Sequence, residues 1–166
     1  MKAVVQRVLE ASVHVDSVNI GSIDSGLLVY LGVAQDDSQK DADWLAQKIP
    51  YLRIFNDDEG KMNLSLLDVT PGKRNGKAGI LAISQFTLLG DAVKGRRPSW
   101  SKAAEPEKAK ELYLYFIEKI RLQNIFCECG KFQASMKVKY TNDGPVTIIL
   151  DSREKGIGNP RHTIAK

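Results

Sequence analysis

Asn142-Asp143-Gly144-Pro145-Val146-Thr147 sets a Gly-Pro pair between two runs that otherwise read as strand. Upstream, Phe132, Ala134, Met136, Val138 and Tyr140 alternate with Lys131, Gln133, Ser135, Lys137 and Lys139, the period of a strand with one apolar face. Downstream, Val146-Thr147-Ile148-Ile149-Leu150 is apolar and β-branched. Proline cannot donate to a sheet ladder, so the pair predicts a turn or a bulge. X-Pro is also the one bond at which a cis peptide costs little, about 0.5–1 kcal/mol against trans. Gly144 admits backbone angles closed to other residues and lets a ligand approach bare main chain. Two readings stand: an ordinary Asn-Asp-Gly-Pro turn, or main chain offered to a ligand.

A second stretch bears on that choice. Ile80-Leu81-Ala82-Ile83 is an apolar run flanked by Gly76, Gly79 and Gly90, the pattern of a strand buried on both faces. It ends in Ser84-Gln85-Phe86-Thr87-Leu88, which puts Ser84, Gln85 and Thr87 at the end of a core strand. Polar groups there must find partners, and strand ends leading into loops are common ligand sites.

Together, in this order, the two stretches resemble the D-aminoacyl-tRNA deacylase family. The resemblance extends to Gln6-Arg7-Val8, Gly26-Leu27-Leu28, Arg53-Ile54-Phe55, Lys61-Met62-Asn63-Leu64 and Arg97-Pro98-Ser99, and so covers residues 1–151. A Gly/Lys-rich insertion at 71–79 and a tail at 152–166 depart from the family's shorter members.

Composition fits one domain. A chain of 166 residues with 43% apolar content can bury a core without staples. No apolar run is long enough to cross a membrane, and Met1-Lys2 leads straight into a strand, which predicts a cytoplasmic protein. Cys127 and Cys129 are too close for an ordinary disulfide and lack companion metal ligands, so reduced thiols, no metal and no cofactor are expected.

The net charge of +4 is unevenly spread. Residues 1–68 carry a net −5, residues 69–104 a net +6, residues 105–151 balance, and the tail carries +3. The positive block brackets the Ser84–Leu88 segment, with Lys73, Arg74 and Lys77 before it and Lys94, Arg96, Arg97 and Lys102 after it. Such loops flanking one strand end suit a polyanion; a plain solvated surface is the alternative.

The elements predict an α+β domain whose mostly antiparallel sheet curls towards a barrel, with two main helices and about seven strands. Leu9, Ala11, Val13 and Val15 take the inner phase of the first strand, and extending it backwards puts Val5 and Arg7 inside. A core-facing arginine needs carbonyls or a carboxylate, with the Gly-Pro carbonyls as candidates; a bulge would reverse its direction. Ile20 to Ile23 and Leu27 to Val33 read as further strands. Asp41 to Phe55 is helical up to Pro50, and Pro106 to Asn124 is the best helix, with a stripe of Ala109, Leu112, Tyr113, Phe116, Ile117 and Ile120. The tail is polar and reads as mobile.

Catalytic machinery of the usual kinds is hard to assemble. His14 lies on the outward phase of a strand and His162 in the tail, so no Ser-His or Cys-His pair has a base. An aminoacyl ester suits such a site, because it is activated already and its neighbouring ribose hydroxyl helps activate water. What remains is what the resemblance implies. The substrate is a tRNA charged with a D-amino acid or with glycine, and the protein is a homodimer. Main-chain amides of Phe86 and Thr87 hold the oxyanion beside Ser84 and Gln85, with the Thr87 hydroxyl as an alternative nucleophile. Gly144-Pro145 is cis and enters the other subunit's site, where its carbonyls reject L side chains. Arg7 braces it, and Phe132 and Met136 wall the pocket unless they are plain core. From the charge distribution, and not from the resemblance, Lys94, Arg96, Arg97 and Lys102 are expected to hold tRNA phosphates. Two rivals remain: an editing deacylase of the same fold acting on an L-aminoacyl-tRNA, and a nucleic-acid-binding protein without catalysis. Ser84 and Phe86 favour the D-specific branch, since a related animal deacylase has proline and alanine in that motif.

Overall fold

The computed structural model describes residues 1–70, 78–93 and 95–154. Lys73, Arg74, Lys77, Lys94, His162 and most of the tail lie outside the described residues.

One long strand organises the sheet. β1 (Lys2–Val15) runs antiparallel to β8 (Lys137–Asp151) along one edge. On its other edge it pairs first with β3 (Gly26–Gly32) and then with β2 (Val18–Ile23). β3 continues in parallel to β6 (Gly79–Ser84), and β6 to β7 (Cys127–Cys129). The result is a mixed six-stranded sheet, with the separate hairpin β4 (Phe55–Asn56) and β5 (Met62–Leu64) outside it.

β3 and β6 are buried on both faces, as their unbroken apolar runs require. Leu27, Val29, Leu31, Ile80 and Ala82 face a core built with α1 (Gln39–Lys48) and α3 (Pro106–Arg121). Leu28, Leu81 and Ile83 face a second cluster with Val8, Ala11, Val13 and Ile23, enclosed where the sheet curls. That curl brings β2 against β7: a Cβ on Gly21 would fall 3.2 Å from the Cys129 carbonyl oxygen. At the base of β6 the chain packs tighter still, and a Cβ on Gly79 would lie 2.0 Å from the Phe126 carbonyl oxygen.

Helix boundaries follow local chemistry. At the start of α1 the Asp41 carboxylate accepts from both the Ser38 amide and hydroxyl at 2.9 Å. Pro50 then sits in the 3-10 turn Ile49–Tyr51, so α1 stops well short of Phe55. The short α2 (Leu66–Val69) repeats the box with Ser65 and Asp68. α3 opens on Pro106, buries Leu112, Tyr113, Phe116, Ile117 and Ile120, and ends at Arg121, three residues before the expected Asn124, whose φ of +60° turns the chain back.

Two expectations are corrected. Residues 131–136 are not strand, because Ala134 donates to the Lys131 carbonyl in a turn and Gln133 has φ +61°; β8 begins at Lys137. Leu9 faces solvent, 57% exposed, while Val8 is buried. Register shifts at Val8 reset the alternation of β1, so Ala3 and Val5 serve one core, and Val8, Ala11 and Val13 the other.

Gly79→Ala should cost at least about 2 kcal/mol, since its methyl must displace backbone rather than a side chain. Urea unfolding checks this; an unshifted midpoint would mean that β6 and Phe126 are not in close contact.

Candidate active site

Where β6 ends, Ser84 is followed by Gln85, whose amide still donates to the Leu31 carbonyl at 2.8 Å. The chain then winds into the 3-10 turn Phe86–Leu89. The strand expected to run on to Leu88 stops because Gln85 turns off the sheet at φ −144°, ψ 82°. Phe86 and Thr87 are the first residues of that turn, before its internal hydrogen bonds begin, and their amides meet no acceptor among the described residues. The Gln85 side-chain amide donates to the Thr87 hydroxyl.

Beside this turn opens a cavity of about 580 Å³. Ser84, Gln85 and Phe86 form one wall, and Phe132, Ala134, Met136 and Val138 form the opposite one. Of the apolar phase read at 131–140, Phe132, Ala134, Met136 and Val138 line the cavity although the first half is not strand, but Gln133 of the polar phase lines it too and Tyr140 does not. Phe132 leans on the Tyr113 ring at 6.1 Å, and the Met136 sulfur lies where a Cβ on Gly130 would be, 2.5 Å away.

Ala103, Ala104, Pro106, Ala109 and Tyr113 also line it and were not foreseen as site residues. A cluster of small residues at the start of an amphipathic helix was the only sequence signal for them. Tyr113 donates to the Ala82 carbonyl at 2.8 Å. Burial pushes its phenol well above the ordinary value, so it stays neutral. Among the described residues, no His, Asp, Glu or Lys lines the cavity. His14 lies away on β1, opposite Lys137 and Asn19. Burial raises the Cys127 thiol to about 12, which removes it as a nucleophile.

Gly144 and Pro145 sit elsewhere on the same chain. Gln6 pairs with Thr147 and Val8 with Asn142, so residues 143–146 bulge out opposite Arg7 alone. The Gly144-Pro145 peptide is cis, and both residues are exposed. Asn142 Nδ2 closes the base of the bulge, donating to the carbonyls of Arg7 at 2.9 Å and Val146 at 3.1 Å. Arg7, 6% exposed, lies behind it. Its Nη1 donates to the Ile54 carbonyl at 2.5 Å and to Asn56 Oδ1 at 3.2 Å. Its Nε lies 2.8 Å from Asp143 Oδ2, an ion-pair contact not aligned as a hydrogen bond. The expected carbonyl partners of Gly144 and Pro145 are thus replaced by Ile54 and the Asp143 carboxylate. Gly144 has φ +117°, and a Cβ there would fall 2.7 Å from Val146 Cγ2 and 3.1 Å from Arg7 Nη2.

The structure does not bring this bulge to the cavity of its own chain. Arg7 pairs with Leu27, and Ser84 with Leu31; these lie four residue steps apart on β3, roughly 13 Å along the strand. Of the basic residues, Arg96 and Arg97 are exposed on the loop after the turn, and Lys102 lies 2.9 Å from Asp91.

The sequence profile of the D-Tyr-tRNA(Tyr) deacylase family matches residues 4–151. The chain belongs to this family. A D-aminoacyl-tRNA deacylase of Thermosipho melanesiensis is 57% identical over 155 residues, covering 93% of this chain and 99% of that protein. One from Koribacter versatilis is 54% identical with the same coverage. Among solved structures, one described as c-Myc DNA Unwinding Element Binding Protein shares 40% identity at a TM-score of 0.81, covering 91% of this chain and 98% of its own. A probable eukaryotic D-amino acid tRNA deacylase shares the fold at a TM-score of 0.73 and 16% identity, over 90% of this chain and 97% of its own. The family match therefore spans both the cavity wall and the Gly-Pro bulge.

Proposed function

We propose that this protein hydrolyses the ester bond of D-aminoacyl-tRNA, releasing the free D-amino acid and the tRNA, and that glycyl-tRNA is attacked to a lesser extent. Membership of a deacylase family supports the reaction, and relatives more than half identical carry the name D-aminoacyl-tRNA deacylase. The observation that carries the mechanism is the pair of amides at Phe86 and Thr87, without an acceptor among the described residues, beside a cavity to which those residues bring no base. Water adds to the acyl carbon, the developing oxyanion lies against the two amides, and the ribose oxygen leaves with a proton. The vicinal ribose hydroxyl assists the water, and fixed dipoles in a water-poor site supply the stabilisation. Ser84 and Gln85 shape this wall, with Gln85 orienting Thr87; Phe132 and Met136 hold the far side.

Selectivity is assigned to Gly144 and Pro145 of a second subunit. Their carbonyls would accept from the substrate's amino group and leave no room for an L side chain. Main-chain recognition explains tolerance of many side chains and admits glycine, which has none to reject. Arg7 fixes the bulge through Asp143. A second copy is required because the bulge lies away from its own cavity. Since the substrate is charged in the cytoplasm, the protein acts there; no helix among the described residues is long and apolar enough to cross a membrane.

Wild-type protein should deacylate D-Tyr-tRNA far faster than L-Tyr-tRNA. Faster hydrolysis of L-Tyr-tRNA would favour an L-editing enzyme, and no hydrolysis a nucleic-acid-binding protein, the role named for the 40% identical structure. Thr87→Ala should keep substantial activity, because backbone donors survive it; a loss on the order of 10⁴-fold would instead make the hydroxyl a nucleophile. Sedimentation coupled to assay should find activity only in a two-fold dimer, and a fully active monomer would overturn the shared site. Neutralising Arg96 and Arg97 together should weaken tRNA binding and flatten its salt dependence, with the D-over-L preference unchanged. An unaltered salt slope would return these residues to solvated surface.

A further inference from the structure

The rim of the cavity carries two exposed aromatic rings to which hydrolysis gives no task. Phe86 is 57% exposed and Trp100 40%, and they meet edge to face with centroids 5.3 Å apart and planes at 72°. Trp100 is held in a stiff frame. Asp91 and Ser99 exchange both backbone hydrogen bonds at 2.8 Å, and the Ala103 amide donates to the Trp100 carbonyl at 2.9 Å. The benzo edge of the indole rests on Gly90, where a Cβ would fall 2.5 Å from Trp100 Cζ3. Asp91 is tied in turn to the Val93 amide at 3.0 Å and to Lys102 at 2.9 Å, which holds its carboxyl below the usual range. The loop closed by the Asp91–Ser99 pair carries Arg96 and Arg97 in solvent. Aromatic rings fixed in solvent next to free guanidinium groups match the needs of unpaired RNA, whose bases stack on π-faces while its phosphates seek cations.

We propose that Phe86 and Trp100 form a stacking platform for the unpaired base that precedes the acylated terminal nucleotide, with Arg96 and Arg97 taking the phosphates on its 5′ side. The inference rests on the functional reading above, since it is the ester at the Phe86 amide that brings the strand over the Phe86 ring. The main chain of Phe86 then serves the reaction and its side chain serves the leaving nucleic acid. Stacking is indifferent to base identity, and the cationic loop supplies the complementary charge.

The chain has two tryptophans, Trp44 and Trp100, so a Trp44→Phe background leaves Trp100 as the only indole reporter. Its emission should be quenched saturably by the uncharged trinucleotide CCA, and an abasic trinucleotide with the same phosphates should bind at least about fivefold more weakly. With D-Tyr-tRNA, Trp100→Ala should raise KM roughly 5–100-fold and leave kcat within about twofold, while Trp100→Phe stays near wild type. Equal binding of the two trinucleotides, or an unchanged KM in Trp100→Ala, overturns the platform. Emission that follows protein concentration and ignores RNA assigns the pair to a contact between copies and also overturns it. Should Trp100→Ala fail to fold by circular dichroism, the trinucleotide comparison decides alone. A wild type that stacks CCA but hydrolyses no D-aminoacyl-tRNA refutes the enzymatic reading and not the platform.

Discussion

Opposite the single residue Arg7, β8 sets four residues, and most of what is distinctive here depends on that mismatch. A sheet tolerates extra residues on one strand only by pushing them out and twisting the ladder around them. The protrusion is Asp143-Gly144-Pro145-Val146, and the guanidinium left inside would be an uncompensated buried charge without partners. Asp143, Ile54 and Asn56 supply them, joining β1, β8 and the β4–β5 hairpin at one point. Arg7 thereby ties Asp143, at the start of the protrusion, to β1, and the register reset at Val8 lets one strand serve two cores.

The cavity shows the same economy of side chains. Its polar resource is a strand end turned into a 3-10 turn, and the only titratable group lining it among the described residues is a neutral phenol bound to a carbonyl. Ionisable groups would have to be desolvated as substrate excluded water, whereas main-chain dipoles enter the site already oriented by the fold. Such a site can work only on a substrate that brings its own reactivity, which an aminoacyl ester does. The selectivity proposed for the Gly144 and Pro145 carbonyls would follow the same pattern.

Much of this was legible in the residues. The apolar runs of β3 and β6 and the stripe on α3 identify themselves by period alone, and Ser84, Gln85, Phe86, Phe132 and Met136 do share one cavity. The errors have local causes. At 131–136 the period of a strand is present without a strand: the left-handed Gln133 breaks the angles and joins Phe132, Ala134 and Met136 in the cavity lining. Leu9 fell on the wrong face because a bulge is invisible to a period-2 count. The partners of Arg7 lie 47 to 136 residues away, a pairing that no spacing rule reaches. Trp100 was passed over for a similar reason, since its meeting with Phe86 depends on the loop between them folding back.

β8 pairs only with β1 among the described strands, so its outer side is a long sheet margin open to addition of a further chain. Left straight, a fifteen-residue edge rich in Val, Ile and Thr would invite open-ended fibril growth. The protrusion at Gly144-Pro145 divides that margin into two short lengths, proline withdraws one donor, and Lys137 and Lys139 charge the first of them. The segment proposed to read chirality is therefore also a guard against aggregation, and a variant that straightened it would be exposed to both failures at once.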